Sequence, residues 1–458
     1  MLRSFFLLFL TVPLIPGLRA QNLNETQVLE DITVLQTNLE RFHAGLSRFT
    51  PADSLDYYFE LVKSRLGDEQ QVVDFYKEIT FLLNKVRCGH TRSSMPTMAN
   101  DGFKSNHLFL PVSVVYLEDK LYIDDFLTNE GALKKGEEIL TINGLSVKEI
   151  NRRIFDHHSS DGFINSSKYR LTERYFRYYY QLYVSPDTDR YALTIRGLDG
   201  QLRRATIYGE NWDNLKALDR SAPERAVLNL VHHNDYSYMK IGTFVSYYLN
   251  NAGLNYNKFL ENSFRQLKEK GVSYLVLDLR GNGGGDDNYG ALLVSYFADR
   301  AFRYFERIEV TDDYMGYGSV SRSGGRNLMT SHKGLSLWQP QANRFEGKVY
   351  VLTDGWSFST CADVATVLHH HKWATFLGEE TGGGYDGNTS GNSQTLTLPH
   401  SGISINLPMW MYTTANAGHK FYGRGVLPDY RVVASPRDFI EGKDVVLAKV
   451  EGLIGRNN

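Results

Sequence analysis

The 458-residue sequence has little of several features that would define its class. It has only two cysteines, which excludes a small domain held together by many disulfides. Its 12 prolines and 40 glycines are too few for a collagen-like or linker-like chain. Charge of one sign is not in excess either, since 50 Lys and Arg stand against 52 Asp and Glu. This balance of charges does not indicate a broad phosphate-binding surface, so nucleic acid is not an expected partner.

Long hydrophobic runs are also scarce, and the exception lies at the N-terminus. Residues 1–20 place Arg3 before an apolar stretch and end in the small residue Ala20, a pattern typical of a secretory signal peptide. Pro13 and Pro16 interrupt the run before it reaches the roughly 20 apolar residues of a transmembrane helix. We therefore expect cleavage, a secreted or periplasmic protein and no stable membrane insertion.

The periodicity of apolar residues changes twice along the chain. Residues 21–98 have helical spacing and predict an N-terminal helical bundle. Residues 99–210 have the two-residue period of strands. Residues 211–458 alternate buried strands with amphipathic helices, which is typical of an α/β domain. The sequence thus predicts an α/β multidomain protein with these three domains after the signal peptide.

The middle region contains the segment KGEEILTINGLSVKEI, a strand that ends in an Asn-Gly turn before a helix. This segment resembles PDZ domains, which capture extended peptides by adding them as a strand. Any small barrel with a hairpin would give a similar local pattern. The resemblance implies a PDZ-like domain over residues 99–210.

The last region contains a glycine-rich turn, in which the buried strand SYLVLDL runs into Arg280-Gly-Asn-Gly-Gly-Gly285. Outward backbone N–H groups of such a turn can hold an anion. A nucleotide phosphate is disfavoured, since no Gly-Lys-Ser/Thr follows and Asp286 and Asp287 would repel it. A transient oxyanion on a reacting carbonyl needs only one or two such donors. Tight packing alone remains the simplest alternative.

A second strand, VYVLT, leads into Ser359 at or near the start of a helix. Serine is a common helix N-cap worth about 1 kcal/mol, and that role alone would account for it. It could also be a nucleophile, because a helix N-terminus and the Thr360 N–H favour developing negative charge. The surrounding residues do not form the Gly-x-Ser-x-Gly elbow.

Four segments occur in a fixed order: YLVLDLRGNGGG, VYVLTDGWSFSTCADVA, ATFLGEETGGG and GRGVLPD. Together they resemble the C-terminal processing, or tail-specific, protease family of serine peptidases, in the branch of the tricorn protease core and interphotoreceptor retinoid-binding protein. The resemblance implies a crotonase-like (ClpP-like) catalytic domain. It places the nucleophile on Ser359, with Ser357 as the nearest competitor. It places the oxyanion donors on the N–H groups of Thr360 and Gly284, with Gly283 as a one-residue alternative.

The general base is assigned by the same resemblance. Some family members use a lysine, but Thr381 is followed here by three glycines and no lysine. Others use a histidine after the N-terminal helices, where this chain has His90, and a neutral imidazole can take the serine proton. A histidine after a helix could also be a cap or a surface residue.

The residue that would orient His90 stays open. No Asp or Glu occurs from Tyr412 to Pro428, where the tricorn-like arrangement has a glutamate. Tyr422, His419 or a carboxylate from elsewhere could accept a hydrogen bond from the second ring nitrogen.

The two cysteines lie close in sequence to the candidate site. Cys88 and Cys361 are each two positions from His90 and Ser359, respectively. If those residues meet, the thiols line the same neighbourhood and could form a disulfide. Two free buried thiols are favoured, because disulfide geometry is strict.

The sequence thus predicts an exported serine endopeptidase that cleaves peptides or unfolded protein tails through an acyl-enzyme. Peptides or proteins are the expected partners, and the reaction requires no metal or organic cofactor. The alternative is a catalytically inactive peptide- or lipophile-binding protein on the same scaffold.

Overall fold

A computed structural model describes residues 22–127, 132–185, 188–218, 227–314, 316, 318–416 and 421–455. The expected signal peptide lies outside these residues. Within the described ranges, no helix is both long enough and apolar enough to cross a membrane.

The helical spacing near the N-terminus corresponds to helices that share an apolar core. The first helix begins with a capping box, in which Asn24 and Gln27 cap each other's backbone N–H groups. The elements of this region are β1 (Asn22–Asn24), α1 (Glu25–Phe42), α2 (Ala52–Lys63), β2 (Glu69–Gln71), α3 (Val72–Val86), β3 (Ser93–Ser94) and α4 (Thr97–Asn106).

The middle region is an antiparallel sheet with strand order β10-β9-β7-β6-β5, and β8 pairs with β7. Its elements are β4 (Leu108–Phe109), β5 (Val112–Leu117), β6 (Lys120–Phe126), β7 (Glu138–Ile142), β8 (Leu145–Ser146), α5 (Val147–Phe155), α6 (Ser166–Tyr183), β9 (Arg190–Arg196), β10 (Leu202–Tyr208) and β11 (Glu210–Asn211). The long, tyrosine-rich helix α6 is not predicted by the two-residue periodicity assigned to this region.

The third region is built on a sheet with order β12-β13-β14-β20-β21-β26, parallel except for the β12–β13 pair. Its first elements are β12 (Leu228–His232), β13 (Ser237–Ile241), α7 (Ser246–Asn251), α8 (Tyr256–Glu269), β14 (Tyr274–Asp278) and α9 (Asp287–Ser295). Helix α8 buries Tyr256, Leu260, Phe264 and Leu267, which lie on one face at helical spacing.

A second sheet has the order β17-β18-β16-β25-β22 and contributes Ile308 and Tyr412 to the same apolar core. The remaining elements complete the chain: β15 (Phe302–Arg303), β16 (Phe305–Val310), β17 (Val320–Ser323), β18 (Arg326–Met329), β19 (Leu337–Trp338), β20 (Lys348–Thr353), α10 (Thr360–His370), β21 (Thr375–Gly378), β22 (Thr389–Ser390), β23 (Gln394–Thr397), β24 (Ser404–Leu407), β25 (Trp410–Thr414), β26 (Tyr430–Arg431), α11 (Pro436–Ile440) and α12 (Val445–Ile454).

The N-terminal helices do not pack on their own. The hairpin β23–β24 pairs with β3, and Leu398, Ile403, Ile405 and Leu407 join the core of helices α1 to α3. The chain therefore brings the end of α3 against the C-terminal part of the molecule, which positions the turn that carries His90.

The two strands that precede the candidate loops are neighbours. Strands β14 and β20 are parallel, with Asp278 opposite Leu352. Parallel strands end at the same edge of a sheet, and binding sites form at that edge. The glycine-rich turn and the turn before Ser359 therefore lie side by side.

Candidate active site

A cleft of about 1150 Å³ opens at this edge of the sheet. Its walls come from the glycine-rich turn, the turn before α10, helix α6, the start of β5 and the turn after α3. Ser359 and His90 both line it, although 269 residues separate them in the chain. The fold thus brings the two predicted catalytic residues to one cavity.

Ser359 occupies the N-cap position of α10, but its side chain makes no capping hydrogen bond. Its backbone has φ 56° and ψ −134°, a left-handed value that L residues rarely adopt. Such strain costs on the order of 1–3 kcal/mol and is concentrated at functional sites. The helix-cap explanation therefore does not account for this serine.

The neighbouring Ser357 has a different environment. It is fully buried, and its hydroxyl donates to the Leu279 carbonyl at 3.1 Å. The same oxygen accepts from the Asp354 N–H, also at 3.1 Å. Ser357 thus ties the two loops together and is not presented to the cleft.

The glycine-rich turn makes a close approach to Ser359. A Cβ on Gly284 would lie 2.7 Å from the Phe358 carbonyl oxygen and 2.7 Å from the Ser359 Cβ, and its φ is +96°. Only glycine fits this position without displacing the turn before α10.

The expected oxyanion donors differ in whether their N–H groups already have a hydrogen-bond acceptor. The Gly284 N–H donates to Asn282 Oδ1 at 2.9 Å, and Asn282 Nδ2 donates to the Ile241 carbonyl at 3.0 Å. The N–H groups of Gly283 and Thr360 have no acceptor among the described residues. Thr360 and the one-residue alternative Gly283 therefore offer the free donors in this conformation.

The side chain of Thr360 fixes the start of α10 to the glycine-rich turn. Its Oγ1 lies 2.8 Å from the Gly285 carbonyl and 2.8 Å from Asp287 Oδ1. Burial raises the pKa of Asp287 to about 6. Asp287 also lines the cleft, so an acidic group borders the space next to Ser359.

His90 lies in the turn after α3, with its imidazole against Phe358. The two rings stack with centroids 4.5 Å apart. Nδ1 of His90 is buried and has no hydrogen-bond partner among the described residues. Burial, together with the charges of Arg92 and His43, lowers the pKa of His90 to about 3, so the ring is neutral at pH 7. Within the described part of the chain, no hydrogen bond joins His90 to Ser359.

Asp161 is a candidate that the sequence reasoning did not name. It lies in the loop between α5 and α6 and is only 2% exposed. One carboxylate oxygen lies within 4.8 Å of a ring nitrogen of His90. The Gly89 N–H donates to Oδ1 at 2.8 Å and the Gly384 N–H donates to Oδ2 at 3.3 Å. Burial raises the pKa of this carboxyl, and these N–H groups and the Arg48 charge oppose that effect.

Tyr422, another candidate for orienting His90, makes its hydrogen bond elsewhere. The Tyr422 hydroxyl donates to the Arg48 carbonyl at 2.6 Å, and the Tyr422 side chain is 53% exposed. His419 lies outside the described residues. The third alternative is a carboxylate from elsewhere in the chain, and the Asp161 carboxylate lies near the His90 ring.

The disulfide alternative is wrong, and the favoured prediction of two free buried thiols is confirmed. The Cys88 thiol donates to the Thr389 carbonyl at 3.3 Å, whereas the Cys361 thiol faces the Leu279 carbonyl at 3.7 Å. Cys88 lies beside His90 and Asp161, while Cys361 packs in the core of the third region.

Comparisons with known proteins agree with this geometry. The family model described as Peptidase family S41 matches residues 235–432, which include both loops and Ser359. Mature CPAF complexed with lactacystin is similar over 94% of this chain and 99% of its own, with a TM-score of 0.67 and 15% identity. Another structure of mature CPAF gives a TM-score of 0.64 and 14% identity, over 95% and 98% of the two chains.

At these identities the structural likeness establishes the shared fold, and the family match establishes the class of enzyme. Residues 235–432 therefore match peptidase family S41, and this region gives the chain the class of a serine-type peptidase.

Proposed function

We propose that the protein is an exported endopeptidase that cleaves peptides or unfolded protein tails through an acyl-enzyme on Ser359. The observation that carries this proposal is the state of Ser359 itself. Its hydroxyl is not used as a helix cap, its backbone is strained, and it faces a large cleft shared with His90. A serine kept only for stability would make the capping bond.

In the first step, neutral His90 accepts the Ser359 hydroxyl proton while the oxygen attacks the substrate carbonyl carbon. The step requires the His90 side chain to turn from the Phe358 ring, on which it stacks, towards Ser359. Hydrogen bonds of this kind are often longer in the free enzyme and shorten when substrate binds.

The carbonyl oxygen becomes negatively charged in the tetrahedral intermediate. The free N–H groups of Thr360 and Gly283 are available to it, and the Gly284 N–H becomes a donor if it leaves Asn282. Such preorganised donors contribute about 3–4 kcal/mol each. Collapse of the intermediate breaks the peptide bond, and His90 returns the proton to the departing amine. Water then attacks the ester on Ser359, with His90 again as base.

Asp161 is the proposed positioning residue for His90. Its carboxylate can accept a hydrogen bond from the ring nitrogen that does not face Ser359, which fixes the tautomer and stabilises the imidazolium. The Gly89 and Gly384 N–H groups that donate to Asp161 favour its ionised form and oppose the rise in pKa that burial causes. It would replace the glutamate that is missing before the Gly-Val-Leu-Pro-Asp segment.

The middle region is the proposed PDZ-like peptide-binding domain. Strand β5 is the edge of its sheet, and Val112 to Val114 line the cleft. The Tyr116 N–H donates a hydrogen bond to Glu173, and the Tyr116 carbonyl accepts one from Arg170. The N–H and carbonyl groups of successive residues in a strand point to alternate sides. Val114 lies two residues before Tyr116, so its N–H and carbonyl point to the same side as those of Tyr116, where an extended peptide can pair with them.

Incubation of the mature protein with an unfolded protein, followed by mass spectrometry of the products, tests the proposal. We expect internal cleavage by wild type and by Ser357→Ala, and none by Ser359→Ala or His90→Ala. A matched pair of peptides with a free or an amidated C-terminus measures the preference for tails. Equal cleavage by wild type and Ser359→Ala would contradict the assignment of the nucleophile.

A further inference from the structure

Three chemically different ligand groups converge behind the cleft. The thiol sulfur of Cys88, a ring nitrogen of His90 and a carboxylate oxygen of Asp161 all lie within 4.8 Å of one another. Cys88 is 4% exposed and Asp161 is 2% exposed. The group joins the turn after α3 to the loop before α6, and the Gly89 N–H bonded to Asp161 fixes the two segments together.

We propose that Cys88, His90 and Asp161 form a binding site for a divalent cation of the zinc type, and that the bound ion inhibits the peptidase reversibly. The metal-binding part stands on the geometry of the three residues alone. The inhibitory part rests on the proposed function, since it requires His90 to be the general base.

The donor set matches such an ion. Sulfur, imidazole nitrogen and carboxylate oxygen are the ligands that Zn²⁺ takes in proteins, and three protein ligands leave a fourth position for water. A thiolate and a carboxylate balance the two positive charges, so the buried site is neutral when the ion is bound. Binding breaks the Cys88 S–H bond and releases that proton to solvent.

The geometry needs only a small adjustment. With bonds of about 2.0–2.3 Å, the donors of a tetrahedral zinc site lie about 3.3–3.8 Å apart. The three donor atoms already lie within 4.8 Å of one another, so each pair must close by about 1 Å to 1.5 Å at most. The buried Nδ1 of His90, which has no partner among the described residues, is a nitrogen that coordination would satisfy.

A metal ion can reach the site from solvent, and its binding would remove the general base. His90 lines the open cleft, so an ion can reach the group from solvent on that side. Once coordinated, the imidazole nitrogen lone pair is no longer available, and the ring is held away from Ser359. The reaction itself requires no metal, and the ion acts only as an inhibitor.

The test uses the untagged mature protein, because a histidine tag would bind zinc itself. Calorimetry measures the Zn²⁺ stoichiometry and affinity, and Co²⁺ absorption reports thiolate coordination directly. Cys88→Ser is the test variant, and Cys361→Ser is its matched control, being a second buried thiol outside the group. Circular dichroism verifies that each variant is folded. Asp161→Asn provides a second binding variant if Cys88→Ser fails to fold.

We expect one Zn²⁺ per chain for wild type and Cys361→Ser, with at least a tenfold loss of affinity in Cys88→Ser and Asp161→Asn. Fluorophosphonate labelling of wild type should stop with Zn²⁺ and return with a chelator, while Cys88→Ser labels normally in both conditions. Unchanged Zn²⁺ binding in the variants, or none to wild type, would overturn the site. Binding without any labelling of metal-free wild type would leave the site standing and refute the proposed function instead.

Discussion

The imidazole of His90 stacks on the ring of Phe358, the residue directly before Ser359, with a 30° angle between the ring planes. The proposed base is therefore in contact with the turn that carries the proposed nucleophile. The same contact shields the imidazole from water, and that burial is the main reason for its low pKa. The catalytic pH range and the packing of this turn are thus linked.

Activity should decline on the acidic side only well below pH 6.5. His90 must be neutral to act as a base, and it stays neutral above its pKa of about 3. We expect the fluorophosphonate labelling rate to show no inflection near pH 6.5, the ordinary histidine value, and to decline only at lower pH. Circular dichroism at each pH separates this decline from unfolding. Asp287, whose pKa is raised to about 6, also borders the site, so Asp287→Asn is the control. An inflection near pH 6.5 that persists in this variant would show that His90 is solvated in the working enzyme.

Phe358→Ala tests the cause of that shift. Removing the ring admits water to the imidazole, so the His90 pKa should rise towards its ordinary value and the acidic limb should move to higher pH. The pH profile of labelling, compared with that of wild type, is the measurement. An unchanged profile in a folded variant would exclude Phe358 as the source of the low pKa.

Ser357 and Ser359 should respond in opposite ways to substitution by alanine. Ser359 makes no capping bond, so Ser359→Ala should abolish labelling with little change in stability. Ser357 holds two buried hydrogen bonds, so Ser357→Ala should cost about 1–3 kcal/mol of unfolding free energy and keep labelling. Denaturant unfolding and intact mass measure the two effects, and the reverse pattern would exchange the roles of the two serines.

Gly284 and Gly283 form a second matched pair. Gly284→Ala places a Cβ 2.7 Å from the Phe358 carbonyl oxygen, which should shift the oxyanion donors and lower kcat/KM by about 100-fold or more. Around the corresponding Cβ of Gly283→Ala, no atom of the described residues lies within 4 Å, and its N–H is retained. Kinetics on one peptide substrate checks both, and equal loss in the two variants would contradict this account of the turn.

His43 should make stability depend on pH. It is buried, contacts Thr91 Oγ1 at 2.8 Å, and has its pKa lowered by burial to about 4. The unfolded chain then binds a proton that the folded chain does not, so stability is lost as pH falls from about 6.5 to 4. A shift of this size corresponds to about 3 kcal/mol.

The control is His43→Gln, which keeps a hydrogen-bonding side chain and cannot titrate. Its unfolding free energy should lose about 3 kcal/mol less than that of wild type between pH 7 and pH 4. Urea unfolding at a series of pH values measures the difference. Parallel curves for the two proteins would show that His43 does not titrate on unfolding.

The sequence was most informative where chemistry and local structure coincide. The apolar strands before Arg280 and Asp354 are predicted close to their observed bounds, because each is a continuous local pattern. The segments that resemble the tail-specific protease family indicate the same two loops. Fully buried parallel strands have few alternatives at that length.

Asp161 could not be found in this way. It lies 71 residues from His90 in sequence, in a loop with no motif, and it reaches the site through tertiary contacts that include hydrogen bonds from the Gly89 and Gly384 N–H groups. Helix α6 was missed because the helix is rich in aromatic residues, which also suit strands, and its buried residues include Phe176 and Tyr180. The proximity of Cys88 to Asp161 likewise arises from the tertiary fold and could not be predicted from the local sequence.

The central claim is that Ser359 is an activated nucleophile served by His90. Fluorophosphonate labelling of the mature protein, read by intact mass, tests it directly by comparing wild type with folded Ser359→Ala and His90→Ala. The account predicts one adduct on wild type and none on either variant. A folded wild type that stays unlabelled, with and without added peptide, would contradict it and favour a binding protein on the same scaffold.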